Sequence, residues 1–213
     1  MDGRDKLFIP ILGKPLLLYC LEAFERSRHV GSIAVATASE SVTRVREIAL
    51  EHGISKLVAV VHGGARRQDS VSNALTALGQ VDIVIVHDGA RPFVDDEIIA
   101  RAVDEAHSCG AASAAVPVKD TIKVATPEMT VASTPDRDTL WAAQTPQSFS
   151  LDLLKEAHSR IKHDVTDDAA MVEALGRTVK LFMGSHDNIK VTTPEDITVA
   201  EAIARVRLET SPR

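Results

Sequence analysis

Aromatic side chains are scarce: one Trp, one Tyr and five Phe make up 3% of the 213 residues. A core for a chain of this length must therefore come from Val, Ile, Leu and Ala. A single-strand nucleic-acid binder, which needs rings for base stacking, is disfavoured. Basic residues are also in deficit, 24 Lys and Arg against 30 Asp and Glu, for a formal net charge of −6. That balance argues against nonspecific nucleic-acid binding and leaves room for local basic clusters that hold a phosphate. The two cysteines, Cys20 and Cys109, fit neither a metal-ligand spacing nor a disulfide framework. They read as buried or otherwise inert thiols in a reducing, cytoplasmic setting. No run of about 18 apolar residues offers a membrane span. The apolar stretch 7–21 is interrupted by Pro10, Lys14 and Pro15 and lacks a small-residue cleavage site. It reads as a loop leading into a core-facing helix, not as a signal peptide.

Apolar runs of strand length alternate with amphipathic stretches. Strands are expected over 32–38, 57–61, 81–86, 113–118 and 179–183. Helices are expected over 15–27, 39–52, 70–78, 95–108, 151–161, 167–175 and 194–208. This alternation predicts an α/β fold, a mostly parallel Rossmann-like sheet with crossover helices. The run Ile-Val-Ile-Val at 83–86 is apolar on both faces, as expected for a strand inside such a sheet. The rhythm changes between about 118 and 147, where short β-like pieces at 121–124 and 131–133 flank Thr126, Pro127 and Glu128. That pattern predicts a projecting β-arm on one α/β domain. Trp141 is expected to anchor the arm.

Several segments could carry chemistry. His87-Asp88-Gly89-Ala90-Arg91-Pro92 directly follows the run 83–86. Ligands of open α/β sheets bind beyond the carboxyl ends of the strands, which puts Asp88 at the crevice. A carboxylate there can hold Mg2+, and the planar fork of Arg91 can meet a phosphate. Asp-Gly is also a common turn dipeptide. Gly63-Gly64-Ala65-Arg66-Arg67-Gln68-Asp69-Ser70 opens a helix after the run 57–61. Its glycines let backbone N–H groups approach an anion, and the helix start favours one by roughly 0.3–1 kcal/mol. Arg67 and Ser70 would add side-chain contacts. A plain glycine turn capped by Asp69 or Ser70 has the same sequence. Lys190 precedes a helix start marked by Thr193 and Pro194, with Thr192 and Glu195 at capping-box spacing. It is either a solvated charge or a phosphate contact. Thr166-Asp167-Asp168 reads as a cap with first-turn acids, and the Thr166 hydroxyl is left able to touch a ligand.

Taken together, GKPLL…LEAF, GGxxRQDSV, VHDGARPF, AVPVKDTIK, TPDRDTLWAAQTPQSF, TDDAAMVE and NIKVTTPED resemble the 2-C-methyl-D-erythritol 4-phosphate cytidylyltransferases, in order and over nearly the whole chain. The resemblance implies one nucleotidyltransferase domain over 1–213, with an arm at about 118–147 that mediates homodimerisation. It implies CTP and a polyol phosphate as substrates, Mg2+ as the cation and a step of isoprenoid-precursor synthesis in the cytoplasm. It assigns Lys6 and Lys190 to catalysis, and Gly64, Arg67, Ser70 and Asp88 to the nucleotide, Asp88 also to the metal. Arg91, Thr121, Arg137 and Thr166 fall to the second substrate, with Thr121 and Arg137 reaching it across the dimer.

The family pattern also has a strand and a glycine-rich loop, A-A-G-x-G-x-R-M, ahead of the position of Lys6. Met1 stands where that motif ends. The expectation is a longer native product, exposed apolar neighbours and weak CTP binding by this chain. Two rival readings are a ribitol-5-phosphate cytidylyltransferase and a nucleotide-binding homologue without activity.

Overall fold

The computed structural model describes residues 6–210. After a 3-10 turn at Lys6–Phe8 come a small hairpin of β1 (Pro10–Ile11) and β2 (Lys14–Pro15), then α1 (Leu16–Arg26), β3 (Ile33–Thr37), α2 (Val42–Glu51) and β4 (Leu57–His62). The chain continues through α3 (Arg67–Leu78), β5 (Ile83–Val86), α4 (Asp96–Cys109) and β6 (Ala111–Pro117). An excursion carries β7 (Val124–Ala125) and β8 (Val131–Ser133). β9 (Trp141–Ser150), α5 (Leu151–Arg160), α6 (Asp168–Ala174), β10 (Lys180–Met183) and α7 (Pro194–Thr210) complete it. None of the described helices is long and apolar enough to cross a membrane.

The fold is α/β with a mixed sheet. Four strands lie in the order β10-β6-β9-β5, and a separate pair joins β3 to β4. β10 with β6 and β3 with β4 are parallel, whereas β9 runs antiparallel to both β5 and β6. β9 is the element that periodicity misses. Residues from Trp141 to Gln147, expected in the arm, belong to this strand, so the excursion returns at Trp141. Trp141 opens β9 opposite Pro117 and remains 39% exposed, which does not fit an anchor. The arm proper is a two-stranded ribbon that exposes Ile122, Val124, Met129 and Val131.

Helix faces supply the core. Leu17, Leu18 and Leu21 of α1 pack with Val45, Ile48 and Val60, and Ile98, Ile99 and Ala102 of α4 pack on Ala112, Ala114 and Phe182. Helix starts differ in detail from the sequence reading. α3 begins one turn early, at Arg67, so Asp69 sits inside its first turn and accepts from the Arg66 N–H at 3.2 Å. Neither Asp69 nor Ser70 is the cap. Asp167, not Thr166, caps α6 by accepting from Ala170 N at 2.8 Å. The α7 box pairs Thr193 with Asp196, not Thr192 with Glu195. Of the two thiols, both free, Cys20 is buried and Cys109 is exposed.

Among the described residues, β3 pairs only with β4 and β5 only with β9. Between their free edges lies a cavity of about 550 Å3, walled by α1 and α3. The Ile-Val-Ile-Val strand is consequently only half-buried over most of its length.

Candidate active site

The turn after β5 and the segment after β10 meet at one carboxylate. Val191 N donates to Ala90 O at 2.8 Å, which brings the Lys190 segment against the Asp88 turn. Lys190 Nζ then stands 2.8 Å from Asp88 Oδ2, with the guanidinium nitrogens Nε of Arg67 and Arg91 each 3.7 Å from the same carboxylate. Burial works to raise the pKa of Asp88, but the Lys190 hydrogen bond and the three cations outweigh it and hold the carboxyl below its usual value. Lys6, Arg67, Asp88 and Lys190 line one cavity of about 620 Å3, together with Thr37, Ala38 and Glu40 beyond β3. An anion entering there meets positive charge already arranged around a single acid.

The Asp88 turn is fixed from below by groups that the sequence reading passed over. Asp88 N donates to Thr145 Oγ1 at 3.0 Å, and that hydroxyl lies 3.1 Å from His87 Nδ1. His87 Nε2 lies 3.0 Å from Arg91 O, an obligate acceptor, so Nε2 carries the proton and Nδ1 accepts from Thr145. The imidazole is held neutral, and enclosure by the protein pushes its pKa down to about 4. An unfolded histidine titrates near 6.5, so between these values the unfolded chain binds more protons. The resulting stability is present above pH 6.5 and is lost as pH falls through about 4. Urea midpoints should decline across that window, and His87→Gln should flatten the decline. An unchanged slope in the variant would overturn this account.

In the sequence Asp168 reads only as a first-turn acid after a cap. The structure buries it completely and aims it at the site. Arg67 NH1 reaches its Oδ2 at 2.5 Å, and His158 Nε2 lies 3.5 Å from Oδ1. Arg67 opens α3 and Asp168 opens α6, so the pair ties two helix starts together. Burial works to lower the Arg67 pKa, and the Asp168 charge and hydrogen bond override it. No local pattern announces this pairing, because 101 residues separate the two.

The other expected site residues are distributed as follows. Ser70 Oγ accepts from Gly64 N at 3.0 Å, shaping the glycine turn beside the site. A Cβ at Gly64 would stand 3.0 Å from the Asp69 carbonyl carbon and closer still to its Cβ, so that turn requires glycine. Arg91 was expected on a phosphate. Its side chain is largely buried, and NH1 donates to Asn188 O at 2.8 Å, bracing the Lys190 segment. Asn188, itself fully buried, donates to Thr145 O at 2.7 Å. Thr166 is exposed beside α6 and does not line the cavity. Thr121 and Arg137 lie on the arm, away from that lining, and Arg137 donates to Lys119 O at 3.2 Å.

No cluster of three or more His, Cys, Asp or Glu suited to a metal occurs among the described residues. A single carboxylate facing a cation-rimmed cavity suits a hard cation that arrives with phosphates and keeps most of its ligands from them.

Residues 1–206 match the model of the family described as IspD, 2-C-methyl-D-erythritol 4-phosphate cytidylyltransferase. Proteins of that name from Dehalococcoides mccartyi and Alkaliphilus oremlandii are 42% and 44% identical. The alignments cover 96% and 97% of this chain and 90% and 91% of those proteins. The crystal structure of 4-diphosphocytidyl-2C-methyl-D-erythritol synthase from Anaerococcus prevotii is similar at a TM-score of 0.88 and 29% identity, over 96% of this chain and 92% of that one. The 2-C-methyl-D-erythritol 4-phosphate cytidylyltransferase from Thermus thermophilus gives 0.80 and 34%, over 94% of each.

Proposed function

The chain belongs to the 2-C-methyl-D-erythritol 4-phosphate cytidylyltransferase family, and from that premise we propose that its site joins CTP to 2-C-methyl-D-erythritol 4-phosphate and releases pyrophosphate. The observation that carries this reading is the Asp88 carboxylate, surrounded by Lys190, Arg67 and Arg91 at a cavity that Lys6 also lines.

In this reading a phosphate oxygen of the polyol attacks the α-phosphorus of CTP, and the bond to pyrophosphate breaks in line. Two polyanions must approach, so the chain supplies positive charge and positioning, with no nucleophile of its own. Lys6 and Lys190 neutralise charge on the reacting phosphates. Gly64, Arg67 and Ser70 hold the nucleotide at the start of α3, where helix-end N–H groups favour an anion. Asp88 would hold Mg2+, which neutralises phosphate charge. Arg91 acts through Asn188 to keep Lys190 in place. Thr166, exposed beside α6 and outside the cavity lining, falls to the second substrate by the family resemblance. Thr121 and Arg137 reach that substrate from the arm of a second subunit, and the apolar side chains exposed on the arm favour such a homodimer.

Pyrophosphate release from CTP tests the proposal. Release is expected with methylerythritol phosphate and Mg2+, and its loss is expected when the cation is chelated. Equal turnover of ribitol 5-phosphate would replace the substrate assignment. CTP binding without any release would make the chain a binding homologue.

A further inference from the structure

The loop that joins α5 to α6 runs from 161 to 167 and carries Thr166. It has no regular secondary structure to fix its path. Ile161 and Val165 pack on the core beneath it. Two successive carbonyls of the loop are taken by the start of α3. Arg66 NH1 donates to Lys162 O at 2.9 Å and to Asp164 Oδ1 at 3.1 Å, and the buried Gln68 donates from Nε2 to His163 O at 3.2 Å. At the far end Asp167 caps α6 and accepts from Gln147 Nε2 at 2.8 Å. Thr166 lies between these two fastenings.

Three consecutive residues divide the work at the α3 start. Arg67 faces Asp88 and Asp168, whereas Arg66 and Gln68 turn to the loop. Arg66 stands in extended backbone just ahead of the helix. Its Nε and NH2 form a fork on the Asp69 carboxylate at 3.0 and 2.7 Å, which fixes the guanidinium plane and leaves NH1 aimed at the loop. A lone exposed ion pair would contribute little. Here one planar cation makes a bidentate pair and two further bonds, a geometry that an ammonium cannot reproduce. Arg66 also occupies one of the two positions that the pattern GGxxRQDSV leaves open, so the resemblance gives it no role.

We infer that Arg66 is a positioning residue for the second substrate: it straps the loop 161–167 to the helix start that holds the nucleotide, and so sets where Thr166 stands. The inference rests on the proposed reading in which Thr166 meets the polyol phosphate. Arg66 does not line the cavity at Asp88, so it acts through the loop.

Arg66→Lys keeps the charge and removes the fork, and Arg66→Ala removes both. In each variant KM for methylerythritol phosphate should rise about tenfold, the effect of losing one hydrogen bond to a charged group. KM for CTP and kcat should stay within about twofold, because the nucleotide contacts are untouched. Amide hydrogen exchange across 161–167, read without substrate, should quicken roughly tenfold in both variants as the loop comes loose. Four results would overturn the inference. If Arg66→Lys keeps the parent KM for the polyol phosphate while the alanine variant loses it, Arg66 is a charge that draws in phosphate, not a strap. Equal rises in both KM values would put Arg66 on the nucleotide. Unchanged loop exchange would deny the strap. A loosened loop with no shift in either KM would deny its use. Absence of any turnover by the unsubstituted chain would instead remove the functional reading, and the positioning role with it.

Discussion

Asp88→Asn should lower cytidylyl transfer by about 10²–10³-fold relative to the unsubstituted chain, the range seen when one preorganised charge-stabilising group is removed from a transition state. The substitution keeps the shape and the backbone bond from Asp88 N to Thr145, so the turn itself should persist. What disappears is the negative charge that holds Lys190 at 2.8 Å and draws in Arg67 and Arg91. The carboxylate is also the oxygen donor a hard cation needs. Lys190 and Arg67 keep access to water or to another acid, whereas the largely buried Arg91 loses its carboxylate, so a modest fall in melting temperature is expected beside the large loss of activity. Turnover within threefold of the unsubstituted chain would remove Asp88 from the centre of the mechanism.

The second large effect falls on stability. Asp168→Ala strips Arg67 of its closest partner and leaves a largely enclosed guanidinium facing Asp88 alone. Breaking a buried pair from one side costs about 3–5 kcal/mol. Arg67 keeps a second acid, so a loss near the lower end, about 3 kcal/mol, is expected. For a chain of this size that corresponds to a melting temperature lower by about 6–12 °C. The double variant Asp168→Leu with Arg67→Leu should recover much of the stability, since no charge is left stranded. It should not recover transfer activity, because Arg67 then cannot meet the nucleotide. Recovery of both, or a single variant as stable as the parent, would contradict a role for the pair in holding α3 and α6 at the site.

The sequence was most readable where an apolar run ended in a polar loop. His87 to Arg91 and Gly63 to Ser70 follow strands whose hydropathy stands out, and the site lies at those carboxyl ends. Lys190 was legible through the Thr-Pro helix start behind it. β9 was not, for a physical reason. Its buried residues include Gln144, Thr145, Gln147 and Ser148, which look like loop residues in a hydropathy pattern. They are tolerated inside because each finds a partner. Gln147 donates to Asp167 at 2.8 Å, Ser148 donates to Ala102 O at 2.6 Å, and Thr145 serves the Asp88 turn. Pro146 inside the strand argued further against reading one there. The Arg67–Asp168 pair was hidden because nothing local in a sequence joins two helix starts. Arg91 was misjudged because an arginine in a loop suggests an open phosphate contact, whereas this one turns inward to Asn188.

Trp141 stands at the root of the arm, partly exposed, and no other indole exists in the chain. For the proposed homodimer, that ring serves as the protein's own optical reporter of contact at the arm. Covering that ring should move its emission to shorter wavelength and shield it from soluble quenchers as protein concentration rises. Arm association can then be followed in dilute solution without attaching any dye.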